Sequence, residues 1–429
     1  MSIIKDFKDL ENILFKKNYN KSSLCLYCKG GRMLCGKLQC PIILKAQSLV
    51  KKSHLLESEL IHGATPPGIF VGRVGYPKVY VGPLIPPFLG DTEILDTPEL
   101  WLGKSIPEII DYRYSLIRGR FLANIHDASK GGKLIELLQE LAMGVKSVDS
   151  EACFKKKPKG IITLDEDSQP FGPSAPLKYF KTSSNIKVDH RIEKAFYDKD
   201  LKASEAIISL YKSGVLVTKI QRAFSAGMLG LAPHRKFVPT RWSITAVDSL
   251  ISSYLIDQVK EYNVISEYRV YSFINLDNIF IIIFIPEKWS FEWIEAWFPG
   301  TTWNIKGISP EIMGDYEGYY GRKTYPDVGG CYYSARLAVA EKLNNERKQA
   351  SVLALREIHP GYVLPVGVWN VRESVREALK KSPAVFNNLE SVLSYIGSKL
   401  KIPIKTWVEN SKLLKQALTQ KKIKDFLMN

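Results

Sequence analysis

Four cysteines fall within sixteen residues: Cys25, Cys28, Cys35 and Cys40, separated by two, six and four residues. Only Cys153 and Cys331 lie elsewhere. Thiols packed this closely point to one tetrahedral ion held by four thiolates, with Gly30, Gly31 and Gly36 permitting the tight turns. Structural zinc is the expected ion; a thiolate-bound iron–sulfur cluster is the alternative. Four protein ligands leave no open position, so the metal's role would be to stabilise a module too small for its own core. Its surroundings are one-signed. Between Glu11 and Glu57 there is no acid, but there are nine cations: Lys16, Lys17, Lys21, Lys29, Arg32, Lys37, Lys45, Lys51 and Lys52.

The whole chain shares that bias. It has 429 residues and a net charge of +16, which favours a polyanionic partner such as nucleic acid or an anionic membrane surface. A generally lysine-rich proteome would give the same total. No segment approaches the length of a membrane span, and the first residues lack the apolar stretch of a secretion signal. The expected location is cytoplasmic. There a clustered thiol set favours metal over disulfides.

Periodicity suggests a mixed α/β core with helices. A helix is expected around Ile42–Val50, and short strands with tight turns between 64 and 91. Arg113–Ala128 and Gly132–Val148 read as helical, 154–177 as a loop excursion, and 189–229 as helical again. Glu267–Ile274 and Ile279–Ile285 form a hairpin around Leu276, Asp277 and Asn278; the second strand is apolar on both faces and belongs in the middle of a covered sheet. Tyr332–Gln349 reads as a helix and Ser351–Ile358 as a strand. Beyond Val371 the pattern is helical only. The domains expected are a zinc-binding basic module over 1–60, a mixed α/β core over 61–370, in one or two lobes, and a helical region over 371–429.

The last ten residues carry Gln420, Ile423, Phe426 and Leu427. Ile423, Phe426 and Leu427 are spaced to share one side of a helical turn. Seven lysines and two acids from Lys401 onward leave them on a solvated end. This pattern resembles the box by which DNA-metabolism proteins dock in an apolar groove of the sliding clamp, with Gln420 hydrogen-bonding beside it. Packing of the stripe on the chain's own core is the alternative.

The central blocks contain no P-loop, nucleophile elbow or His-Glu-x-x-His motif. Arg241 beside Trp242 suits phosphate contact with base stacking. Arg73, Arg322 and Arg336 are further candidates for nucleic acid or a nucleotide. A core role is the alternative, with Arg241 paired to Asp248 or Glu295. Asp91, Glu93 and Asp96 suit either a divalent cation or a turn.

Long blocks resemble the archaeal Nre family: Cys25–Cys40, then Phe70-Val71-Gly72-Arg73-Val74-Gly75-Tyr76-Pro77 and Val238-Pro239-Thr240-Arg241-Trp242-Ser243. Glu295-Ala296-Trp297-Phe298-Pro299-Gly300, Tyr332-Tyr333-Ser334-Ala335-Arg336 and the docking tail continue it. The resemblance implies a zinc finger, a PCNA-binding C-terminus and a role in DNA repair in an archaeal cell. It implies no catalytic mechanism. The function expected is therefore a repair factor that binds DNA through basic surfaces and docks on the clamp. Two alternatives remain: an enzyme, either a nuclease with a divalent metal or a nucleotide-handling protein with its site in a core cleft, or an interaction scaffold without DNA contact.

Overall fold

The computed structural model describes residues 28, 32–34, 37–159, 171–305 and 307–419. The chain divides into two compact units. The first holds residues 1–34, 39–251 and 363–366; the second holds 35–38, 252–362 and 367–429. Within the expected 61–370 core the division falls near residue 251, inside one long helix, and not at the 154–177 excursion.

In the first unit Pro41 opens helix α1 (Pro41–Lys52), where its missing N–H costs nothing. A six-stranded sheet follows, in the order β1-β5-β6-β4-β3-β2. Its members are β1 (Leu60–Thr65), β2 (Ile69–Val71), β3 (Lys78–Ile85), β4 (Ile117–Asn124), β5 (Val148–Phe154) and β6 (Ser174–Thr182). All pairings are antiparallel except β4 with β6. The sheet curls towards a barrel. The Ala64 N–H donates to the Phe88 carbonyl at 2.9 Å, so the edge strand β1 meets the chain just beyond β3. Gly63 permits that approach, because a Cβ there would sit 1.7 Å from the Pro86 carbonyl oxygen. The inner face is apolar: Ile69, Val79, Val81, Ile85, Ile117, Ala152, Phe154 and Leu177 are all buried.

The helix expected over Arg113–Ala128 is displaced. A Ser105–Glu108 capping box starts α2 (Ile106–Ser115) earlier, and β4 replaces the rest. Helices α3 (Lys133–Met143), α4 (His190–Tyr197), α5 (Ala203–Lys212), α6 (Val217–Ser225) and α7 (Thr240–Val259) complete this part of the chain. α3 and α6 pack against β2.

The second unit is a three-layer sandwich. Its sheet runs β10-β9-β11-β8-β7-β12, with β7 (Tyr268–Asn275), β8 (Asn278–Ile285), β9 (Ser290–Trp297), β10 (Glu311–Glu317), β11 (Ser351–Ile358) and β12 (Ala384–Phe386). The β7–β8 hairpin turns on Leu276 and Asp277, both at positive φ (50° and 56°), as a two-residue turn matched to strand twist requires. β9 and β11 are parallel neighbours, and both are buried along their whole length. One face takes α8 (Gly330–Glu346) and α9 (Trp369–Lys380). Tyr332 of α8 meets Phe291 edge-on at 5.1 Å. The other takes α10 (Leu389–Gly397), α11 (Ile404–Asn410) and α12 (Lys412–Thr419), which bury Val392, Ile396, Trp407 and Leu414 against Ile281, Ile283 and Leu353. The C-terminal region is thus helical except for β12, a short edge strand on β7 that the sequence pattern did not suggest.

Candidate nucleic-acid interface

Arg73, Arg241 and Trp242 come together in the first unit. The β2–β3 turn carries Arg73, Val74 and, after Gly75 at φ +84°, Tyr76 with a cis bond to Pro77. It is tied to the start of α7, where Thr240 Oγ1 accepts from the Val71 N–H at 3.0 Å. The Tyr76 and Trp242 rings lie 5.4 Å apart at 50°. They are 43% and 47% exposed, so this is an aromatic pair facing solvent and not a core contact. Arg73 and Arg241 are also exposed, and neither has an acidic partner among the described residues. The first turn of α7 carries no acid either, so its N-terminal dipole adds to the positive field. The Asp248 and Glu295 carboxylates, considered as core partners for Arg241, are engaged elsewhere. Asp248 accepts from Gln221 Nε2 at 2.8 Å, while Glu295 pairs with Arg356 at 3.0 Å and accepts from Trp293 and Trp297.

Arg322 and Arg336 are placed differently. Both lie in the second unit and are neutralised there. Arg322 meets Asp315 at 2.7 Å and Arg336 meets Glu317 at 2.7 Å, with Ser252 Oγ accepting from Arg336 Nε at 3.1 Å. Glu317 is 2% exposed, so removing Arg336 would strand a buried carboxylate. Beside them burial pushes Tyr332 far above the ordinary phenol range. Burial and then the Glu295 charge likewise push the Cys331 thiol well up, which keeps it protonated and unreactive. Asp96 is held between Arg113 (3.2 Å) and Arg222 (2.9 Å), and Asp91 caps its own turn by accepting from the Glu93 N–H at 3.0 Å. Two of the three carboxylates considered for a divalent cation, Asp91 and Asp96, thus have protein partners. Among the described residues no group of three or more His, Cys, Asp or Glu is placed to hold a metal.

Cys25 and Cys35 of the thiol cluster lie outside the described residues, as do Gln420, Ile423, Phe426 and Leu427 of the tail. Cys28 and Cys40 are described, and both are buried. Cys40 occupies the N-cap of α1, where the helix dipole favours a thiolate. These two thiols alone form no metal-holding group, so the expected zinc module is not seen among the described residues. The basic surface expected around them is smaller than its sequence: Lys37 and Lys45 are buried and Lys52 pairs with Asp111 at 2.5 Å. No helix among the described residues is long and apolar enough to cross a membrane.

Fold and surface together define a two-unit mixed α/β protein whose first unit carries an exposed tip of Arg73, Arg241, Tyr76 and Trp242. The archaeal Nre N-terminal model matches residues 34–304 and the archaeal Nre C-terminal model residues 317–426. The chain is 42% identical over 394 residues to DNA repair protein NreB of Archaeoglobus fulgidus, covering 91% of this chain and 97% of that protein. It is 39% identical over 370 residues to DNA repair protein NreA of the same organism, covering 86% and 92%. It is 35% identical over 340 residues to DNA repair protein NreA of Haloferax volcanii, covering 76% and 79%. No solved structure matches. The chain belongs to the archaeal Nre family.

Proposed function

We propose that this chain is a DNA-repair factor held at DNA by two contacts, one to the duplex and one to the sliding clamp. The observation that carries the DNA contact is the pair of exposed arginines Arg73 and Arg241, which flank the Tyr76–Trp242 pair and which the fold does not neutralise. Guanidinium groups there would contact phosphates, a term without sequence preference that falls steeply with salt. The names of the curated relatives support a repair role. The tail residues Gln420, Ile423, Phe426 and Leu427 would dock on PCNA, and two weak contacts on one chain raise each other's effective concentration. Zinc on Cys25, Cys28, Cys35 and Cys40 would supply folding energy to the N-terminal segment, with no part in any reaction.

An enzyme reading finds less support. Of the residues that an enzyme site in a core cleft would use (Arg73, Arg241, Asp248, Glu295, Arg322 and Arg336), the last four are engaged by protein partners. The test is retention on a 30-base-pair duplex across a salt series. Arg241→Ala with Trp242→Ala should weaken binding about tenfold and flatten the salt dependence by about one ion for the lost arginine. Unchanged affinity and slope would remove this tip from the interface.

A further inference from the structure

The curled sheet of the first unit offers a second surface that uses none of the residues above. β4 alternates: Ile117, Gly119 and Ala123 face the core, whereas Arg118, Arg120 and Leu122 face outward. Register carries the same face across the neighbouring strands. Tyr80 of β3 lies opposite Leu122 and Leu84 opposite Arg118, and Phe70 of β2 lies opposite Gly82.

The two arginines are unusually placed. The Arg118 guanidinium lies between two rings, 5.1 Å from Phe70 and 4.8 Å from Phe171, and that of Arg120 lies 5.1 Å from Tyr80. Among the described residues neither has an acidic partner, and the Nε of each is buried without an acceptor. Arg118 has one long bond, to the Gly172 carbonyl at 3.5 Å. Burial, then repulsion from Arg120, lowers its pKa to about 10, so it is still cationic at neutral pH. Two partly desolvated like charges on one strand face are unfavourable without a counter-charge. Packing alone does not call for them, since a neutral side chain would cover Phe70 equally well. The acids of this face are on the far half of the sheet, where β5 carries Asp149 and Glu151 and Glu151 accepts from Tyr179 Oη at 2.8 Å. The β2-β3-β4 half is therefore cationic and aromatic. Beside the charges, Tyr80 (44% exposed) and Leu122 (59% exposed) form an apolar floor open to solvent.

We propose that this half of the sheet binds single-stranded DNA, its phosphates neutralising Arg118 and Arg120 and its bases stacking on Tyr80 against Leu122. A duplex keeps its bases stacked internally and presents no ring face to such a floor, whereas an unpaired strand turns phosphates and rings to one surface. The proposal rests on the DNA reading above and narrows it to a strand form. It predicts that duplex and single strand are met by different surfaces, the β2–β3 tip and the β2-β3-β4 face.

The test uses the full chain with labelled dT20 and a 20-base-pair duplex, followed by fluorescence anisotropy over a salt series. Arg118→Gln with Arg120→Gln should weaken dT20 binding at least tenfold. The slope of affinity against salt should fall by about 1.4, which is two contacts at about 0.7 each. Duplex affinity should stay within about twofold. Tyr80→Ala alters only an exposed ring and so tests the floor without threatening the fold; it should weaken dT20 at least about fivefold, the lower end of one lost stacking contact. Binding of dT20 within twofold of wild type in both variants would overturn the proposal, as would rU20 bound tenfold more tightly than dT20. If the wild type binds neither dT20 nor duplex, the DNA reading itself falls. If the duplex binds and dT20 is indifferent to these residues, only this face is lost.

Discussion

Glu292 of β9 should control whether the C-terminal helices stay on the second sheet. It points to the face that carries α10, α11 and α12, and is 4% exposed. Its carboxylate accepts from Ser411 Oγ at 2.6 Å, Lys412 N at 2.7 Å and Leu413 N at 2.9 Å, so it satisfies the first N–H groups of α12. In Glu292→Ala those three donors lose their acceptor in a largely dry site, at about 1–3 kcal/mol each. Relief of the buried carboxylate offsets several kcal/mol of that. The net loss should be about 3 kcal/mol, or about 6–12 °C in Tm for a unit of this size. Glu292→Gln, which keeps one acceptor but turns an amide donor towards the helix, should lose roughly half as much. Thermal unfolding reads the stability, and hydrogen exchange reads where it is lost. Protection should fall first across 404–419, because Glu357, which accepts from the Lys401 and Ile402 N–H groups at 2.9 and 2.8 Å, still holds the chain just before α11. An unchanged Tm with unchanged exchange across 404–419 would refute the reasoning.

Two further outcomes are expected. Asp189 caps α4 and pairs with Arg191 at 2.6 Å, and that hydrogen bonding holds its carboxyl below the ordinary range. Its contribution is therefore full above the unfolded pKa of about 3.9 and is lost as pH falls through the lower folded value. Asp189→Asn keeps the cap but loses the charge-assisted bonds to Arg191, at about 1 kcal/mol at pH 7, and the gap from wild type should narrow as pH falls below the unfolded value; a gap independent of pH would contradict this. Phe426→Ala should abolish PCNA pull-down and leave one zinc per chain by elemental analysis. Undiminished pull-down would remove the docking motif, and a zinc-free wild type would remove the metal.

The candidate site was partly legible in the amino-acid order. Arg241 next to Trp242 stood out because a cation beside an indole is a recognisable pairing. Only the fold brought Tyr76 from a turn about 170 residues away to lie against that indole. Arg322 and Arg336 were further candidates in the sequence, yet they meet Asp315 and Glu317. A charge pattern does not say which cation will find a carboxylate inside. Arg118 and Arg120 were missed because Ile117–Asn124 was read as a continuing helix. The alternation Ile117-Arg118-Gly119-Arg120 was the available signal, and it implied a strand with two cations on one face.

Local chemistry by itself determined most helices, the β7–β8 hairpin and the central position of β8. Apolar periodicity, turn residues and Pro41 act within a few residues of where they occur, so they can be read without knowing the rest of the chain. The tertiary structure alone decided the division near residue 251, the edge strand β12, and which cations are neutralised and which stay bare. Those outcomes depend on groups far apart in the chain becoming neighbours. Burial and charge pairing are properties of that neighbourhood, not of residue order.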